Sequence, residues 1–215
     1  PFWGDITAHY TNANANSSGN GNGSKTKASV SNTQNLNVAA AGGLLSIEQA
    51  EHVAAQVPTG GGRKGRVRDE WLRMLQGRKK LPAWKARSEF LTTMLTSRGM
   101  VVTGETGCGK TTQIPQFLNE VSPDARIVIC QPRRLAATGV AARVADEMSC
   151  KLGDEVGYMV RGDSACGPKT RLVFMTYGVL LRRLQGDPDL AHIDYVILDE
   201  VHERGMDSDF GLGLL

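Results

Sequence analysis

The sequence predicts an α/β fold built on a mainly parallel sheet, and three observations carry that expectation. A short apolar run, 99–103, stops at the glycine-rich stretch GETGCGK and gives way to a helical pattern. Downstream, apolar runs of strand length alternate with helical periodicity as far as residue 198. Strands interleaved with helices imply right-handed crossovers and a sheet covered on both faces. Ligands of such sheets bind at the carboxyl ends of the strands. Composition, finally, divides the 215 residues unevenly.

Taken in order, residues 1–43 read as a disordered tail. The stretch 11–35 is mostly Asn, Ser, Gly and Thr, so no buried surface offsets the entropy of ordering it. A short helix is expected over 44–57, with Ser46 and Gln49 as a capping box, Ile47, Ala50, Ala54 and Val57 on one face, and Pro58 as its stop. GGGRKGR, Gly60 to Arg66, reads as a flexible basic linker that completes a unit over 44–66. Residues 67–98 form a basic helical segment: Val67, Trp71, Met74 and Leu75 recur at helical spacing. A second helix from Trp84 to Ser97 is expected to bury Phe90, Leu91, Met94 and Leu95.

The lobe proper covers 99–215. Met100 to Thr103 is expected as a buried strand, and Thr111 to Glu120 as a helix stopped by Ser122-Pro123. Further strands are expected at 126–130, 156–161, 171–175 and 195–198, and helices at 135–148 and 179–184.

The net charge of +3 hides a local concentration. Residues 63–98 carry eleven Lys/Arg against three Asp/Glu, whereas 99–215 carry twelve against sixteen. A basic segment of this kind suits a polyanion or a solvated flank. Cys108, Cys130, Cys150 and Cys166 include no C-x-x-C pair, which argues against a zinc site or a disulfide framework. A reducing compartment is expected, cytoplasmic in preference to nuclear. No apolar run reaches the roughly 18 residues of a membrane span. The chain begins at Pro1, so it reads as a fragment whose targeting signals are open.

Gly104, Gly109, Lys110 and Thr111 fit G-x-x-x-x-G-K-[ST] between a strand and a helix. In that pattern backbone N–H groups cradle a triphosphate, Lys110 reaches the β/γ-phosphates, and the Thr111 hydroxyl faces Mg²⁺. DYVILDE, 194–200, is an apolar strand ending in two acids. Carboxylates there are costly unless they serve a cation or a hydrogen-bond network. Asp199 is therefore expected to hold Mg²⁺ through water, with Glu200 beside it polarising the water that attacks the γ-phosphate. Arg133 and Arg134 follow a strand end, where guanidinium groups bridge phosphates with little base preference.

In order along the chain, GETGCGKTTQ, QPRRLAA, MTYGVLLRRL and DEVHERGMDSDFGLGLL resemble motifs I, Ia, Ib and II of the DEAH/RHA group of superfamily 2 RNA helicases. LPAWKARSEFL resembles the segment ahead of motif I in that group's larger cytosolic members. The resemblance covers residues 67–215 and implies the first RecA-like lobe of an ATP-dependent RNA helicase that uses ATP or another NTP with Mg²⁺. By it, Gly104, Glu105, Thr106, Gly107, Cys108, Gly109, Lys110, Thr111 and Thr112 form the nucleotide loop. It places Thr111, Asp199 and Glu200 at the metal, and His202 as the link between the nucleotide site and a second lobe. Arg143 matches the arginine that stacks on the base, and Pro132, Arg133, Arg134, Thr176 and Gly178 match residues that line RNA.

Two departures stand out. Arg161-Gly162-Asp163 replaces a bulkier pair, and Tyr177 stands where the group often has an acid. The resemblance further implies that a strand bearing motif III belongs between the phosphate-loop strand and the Asp199 strand, and that the 215 residues alone are neither stable nor active. Two rival readings stay open: a P-loop ATPase acting on DNA, and a non-catalytic RNA-binding fragment.

Overall fold

The computed structural model describes residues 8–10 and 63–215. The helix expected over 44–57 and most of the expected tail lie outside the described residues. Ala8–Tyr10, inside that tail, instead form strand β1, antiparallel to β2, Met100–Val102.

Helix α1 spans Arg63–Arg78, so the last four residues of the expected linker are helical. Arg and Lys are good helix formers, and the single Gly65 costs only about 1 kcal/mol against alanine. The expected helix 84–97 is two: α2, Pro82–Lys85, and α3, Arg87–Thr96. Pro82 suits a first helical turn, where its missing N–H is not needed. In α3, Phe90 and Leu91 are buried, but Leu95 faces outward at 41% exposure.

β2 departs from the buried strand expected, since Val101 is 49% exposed. Its only ladder among the described residues is with β1. Beyond the loop come α4 (Lys110–Val121), β3 (Ile127–Gln131), α5 (Arg134–Glu147) and β4 (Val156–Val160). They are followed by β5 (Asp163–Ala165), β6 (Leu172–Thr176), α6 (Tyr177–Gly186) and β7 (Tyr195–Leu198). A 3₁₀ turn, Val201–Glu203, and α7, Met206–Leu214, complete the described chain.

The five-stranded sheet has the order β5-β4-β6-β3-β7. Neighbours from β4 to β7 are parallel, and β5 is an antiparallel edge turned through Gly162 at φ 80°. The Arg161-Gly162-Asp163 departure is thus the tip of a hairpin. β3 is buried along its whole length, and its alternating side chains feed two cores. Ile127 and Ile129 pack with Phe90, Phe117 and Val144 on the α3, α4 and α5 side. Val128 and Cys130 pack with Met175 and Leu180 on the α6 side. Because β3, β6 and β7 run in register, the residues after Gln131, Thr176 and Leu198 emerge on one edge of the sheet. No described helix is long and apolar enough to cross a membrane.

Candidate nucleotide site and nucleic-acid cleft

Gly109, at the start of α4, has φ 97°. A Cβ there would lie 3.0 Å from the Leu81 side chain and 3.3 Å from Gln113, so both conformation and space demand glycine. The segment before α2 thereby presses on the loop from outside, and the Ala83 amide donates to the Cys108 carbonyl at 3.0 Å. Lys110 Nζ donates to the Gly104 and Glu105 carbonyls at 2.6 and 3.0 Å and lies 3.5 Å from Cys108 Sγ. Its ammonium is thus held across the mouth of the loop, whose residues Glu105, Thr106 and Gly107 are exposed.

Thr111 and Asp199 are 88 positions apart and meet directly, Oγ1 donating to Oδ2 at 2.6 Å. Gln131, at the end of β3, donates to the same oxygen at 2.6 Å, and the Glu200 amide donates to Oδ1 at 3.0 Å. Tyr177 donates its phenol to the Asp199 carbonyl at 2.5 Å. Glu200 itself is left-handed at φ 56°, which costs a non-glycine residue about 1–3 kcal/mol. Its carboxylate lies 3.4 Å from His202 Nδ1.

Beside the acids runs a cleft of about 640 Å³. Pro132, Arg134, Thr176 and Gly178 line it together, and Arg161 and Arg182 add positive charge. Glu200 is also in its wall, so cleft and acid pair adjoin. Arg133 is not among the lining residues; it pairs with Glu203 at 3.1 Å on the surface.

The family described as DEAD/DEAH box helicase matches residues 84–213. The chain belongs to that family. It is 48% identical over 144 residues to the DExH-box ATP-dependent RNA helicase DExH1 of Arabidopsis thaliana, covering 64% of this chain and 14% of the relative. It is 47% identical over 148 residues to the putative ATP-dependent RNA helicase DHX57 of Homo sapiens, covering 66% and 11%. Against the probable ATP-dependent RNA helicase DHX35 homolog of Caenorhabditis elegans it is 46% identical over 147 residues, covering 67% and 20%. The chain therefore spans a tenth to a fifth of the length of these relatives.

Within this DExH-type lobe, of RecA-like fold, Arg143 stands apart from the loop on α5. Its Nε donates to Glu147 at 2.8 Å while the side chain stays 58% exposed. Glu147 is 1% exposed and collects Gln113 and Gln116 of α4 at 2.9 and 2.8 Å. Gln113 in turn accepts from Arg78 of α1 at 2.7 Å and, through its amide nitrogen, bonds the Thr112 hydroxyl at 2.8 Å. Arg78 and Arg87 both pair with Glu120, and both guanidinium groups lie over the Trp84 ring, at 5.2 and 5.7 Å. Sequence reasoning missed Gln131, Glu147 and this network. Gln113, Gln116 and Glu120 fall at i, i+3 and i+7, a polar row on one helix face, which was the available signal.

Proposed function

We propose that the chain is the first RecA-like lobe of an ATP-dependent RNA helicase of the DEAH type. The observation that carries this reading is the direct meeting of Thr111 with Asp199 beside a glycine-built loop, adjoining an arginine-lined cleft. Lys110 binds the β/γ-phosphates, Thr106 to Thr112 supply amides and hydroxyls, and Arg143 offers an exposed guanidinium plane to the base. The hydroxyl and carboxylate of Thr111 and Asp199 are the hard oxygen donors Mg²⁺ prefers. Held by Thr111 and Asp199, Mg²⁺ would supply neutralisation of charge on the transferring phosphoryl group. Glu200 orients the attacking water and takes its proton, and His202, paired with it, relays the nucleotide state outward.

On the RNA side, Pro132, Arg134, Thr176 and Gly178 hold the backbone in the cleft, with Arg133 at its rim. Backbone contacts of this type set register without reading sequence. Because the relatives extend far beyond this chain, a second lobe, RNA as partner and the unwinding activity itself are part of the proposal. An intracellular location, cytoplasmic in preference to nuclear, is part of the same proposal. The test is ATP turnover by the full-length protein with and without single-stranded RNA, alongside DNA of the same sequence. Stimulation by RNA alone is expected, and equal stimulation by DNA overturns the RNA assignment. In RNA-binding titrations over a salt series, exchanging Arg133 and Arg134 for Ala lowers the magnitude of the log K against log salt slope by about 1.4 units, since each phosphate contact on a single strand contributes about 0.7. An unchanged slope removes both arginines from the path.

A further inference from the structure

The peptide joining Asp199 to Glu200 has both polar ends fixed. Its N–H donates to Asp199 Oδ1, and its C=O accepts from Tyr177. Tyr177 is 3% exposed, opens α6, and sits between Thr176 and Gly178, both of which line the cleft. Its ring lies against Gly211 of α7 and packs with Val128, Cys130, Met175 and Leu180. The ring is therefore packed in the core, and Tyr177 also borders the cleft, with its hydroxyl on the acid pair. Burial, and then the nearby Cys130, Asp199, Glu200 and Glu203, push its pKa up, so it stays a donor.

We propose that Tyr177 is a positioning residue, through which the wall of the nucleic-acid cleft holds Glu200 in its left-handed conformation. The proposal rests on the functional reading above. A shift of the Thr176–Gly178 turn when a strand enters the cleft moves the phenol, and the phenol moves the peptide that aims the Glu200 carboxylate. At the position where the resemblance more often places an acid, this chain has a neutral donor that an acid cannot imitate. Glu200 lacks the freedom of glycine at φ 56°, so the fixed peptide is what opposes its return to ordinary backbone geometry.

The experiment compares Tyr177→Phe with the parent full-length protein. The ring, and hence the packing on Gly211, is retained, and only the hydroxyl is lost. Expected is a fall of about two- to tenfold in kcat at saturating RNA, the range one ordinary hydrogen bond supports. KM for ATP and RNA affinity stay as in the parent. Hydrogen exchange read by mass spectrometry gives a second measure: amides of 199–203 exchange faster by a similar factor while those of α4 do not change. Unchanged exchange and kcat overturn the positioning role, and so does a uniform loss of protection across the sheet. A parent protein without RNA-stimulated hydrolysis, but with the local exchange effect, supports the positioning role and overturns the functional reading instead.

Discussion

Lys110 and Glu200 sit on opposite sides of the same chemistry, and their surroundings predict different failures. Lys110 is tied to two loop carbonyls, so Lys110→Ala removes a placed cation and abolishes nucleotide binding. Glu200 is 41% exposed and touches His202, so Glu200→Gln leaves the loop intact. That variant binds ATP like the parent and turns it over about 10² to 10⁴ times more slowly, the usual worth of a general base. Fluorescent-nucleotide binding together with single-turnover hydrolysis separates the two. Equal loss of affinity in both overturns the assignment. Motif spacing put Lys110 and Thr111 on one loop, and the apolar run before them put Asp199 and Glu200 at a strand end, which is where the structure has them. Gln131 was not, since a glutamine ending a buried strand shows no partner until the strands are aligned.

At the scale of elements, the helices were more legible than their contacts. Periodicity located α4, α5 and α6 to within a few residues, because each hides a stripe of aliphatic side chains. It could not show that α1, α4 and α5 are joined through charge and amide groups, because such pairs leave no period in the sequence. It also began α1 at Val67, four residues late, because the glycines of GGGRKGR outweighed the helix formers among them. Glu147 is the centre of that junction. Glu147→Ala removes the acceptor shared by the buried Gln113 and Gln116 amides and by the half-exposed Arg143, while Arg78 keeps Glu120 and Gln113. Leaving a buried amide donor unpaired costs about 1–3 kcal/mol. Urea unfolding followed by circular dichroism measures it, and a loss below about 1 kcal/mol shows that water reaches the junction.

For the molecule as a whole, the sheet centre sets an alkaline limit. Cys130 is 0% exposed, and burial raises its thiol from 9.0 to about 12. Between those values the unfolded chain releases a proton that the folded chain keeps, so stability falls as pH rises. The stability is fully present below pH 9.0 and erodes towards the folded value of about 12. The slope attributable to one proton is at most about 1.4 kcal/mol per pH unit. Thermal melts between pH 8 and 11 should therefore show a smaller pH dependence in Cys130→Ala than in the parent, even though that variant is less stable at neutral pH. Identical slopes would assign the alkaline loss elsewhere.

The junction of α1 with α4 bears on where this lobe begins. The family match starts at residue 84, six positions after Arg78. A protein trimmed to that boundary keeps the four motifs from the nucleotide loop onward and discards the guanidinium that pairs with Glu120, bonds Gln113 and covers one face of Trp84. It also loses Leu81, the side chain that walls the glycine at the mouth of the nucleotide loop. Proteolysis and melting of two forms, one starting at 63 and one at 84, should show the shorter to be the less stable and the weaker nucleotide binder. The limits of the domain are drawn by a salt bridge, and a pattern of similarity stops short of it.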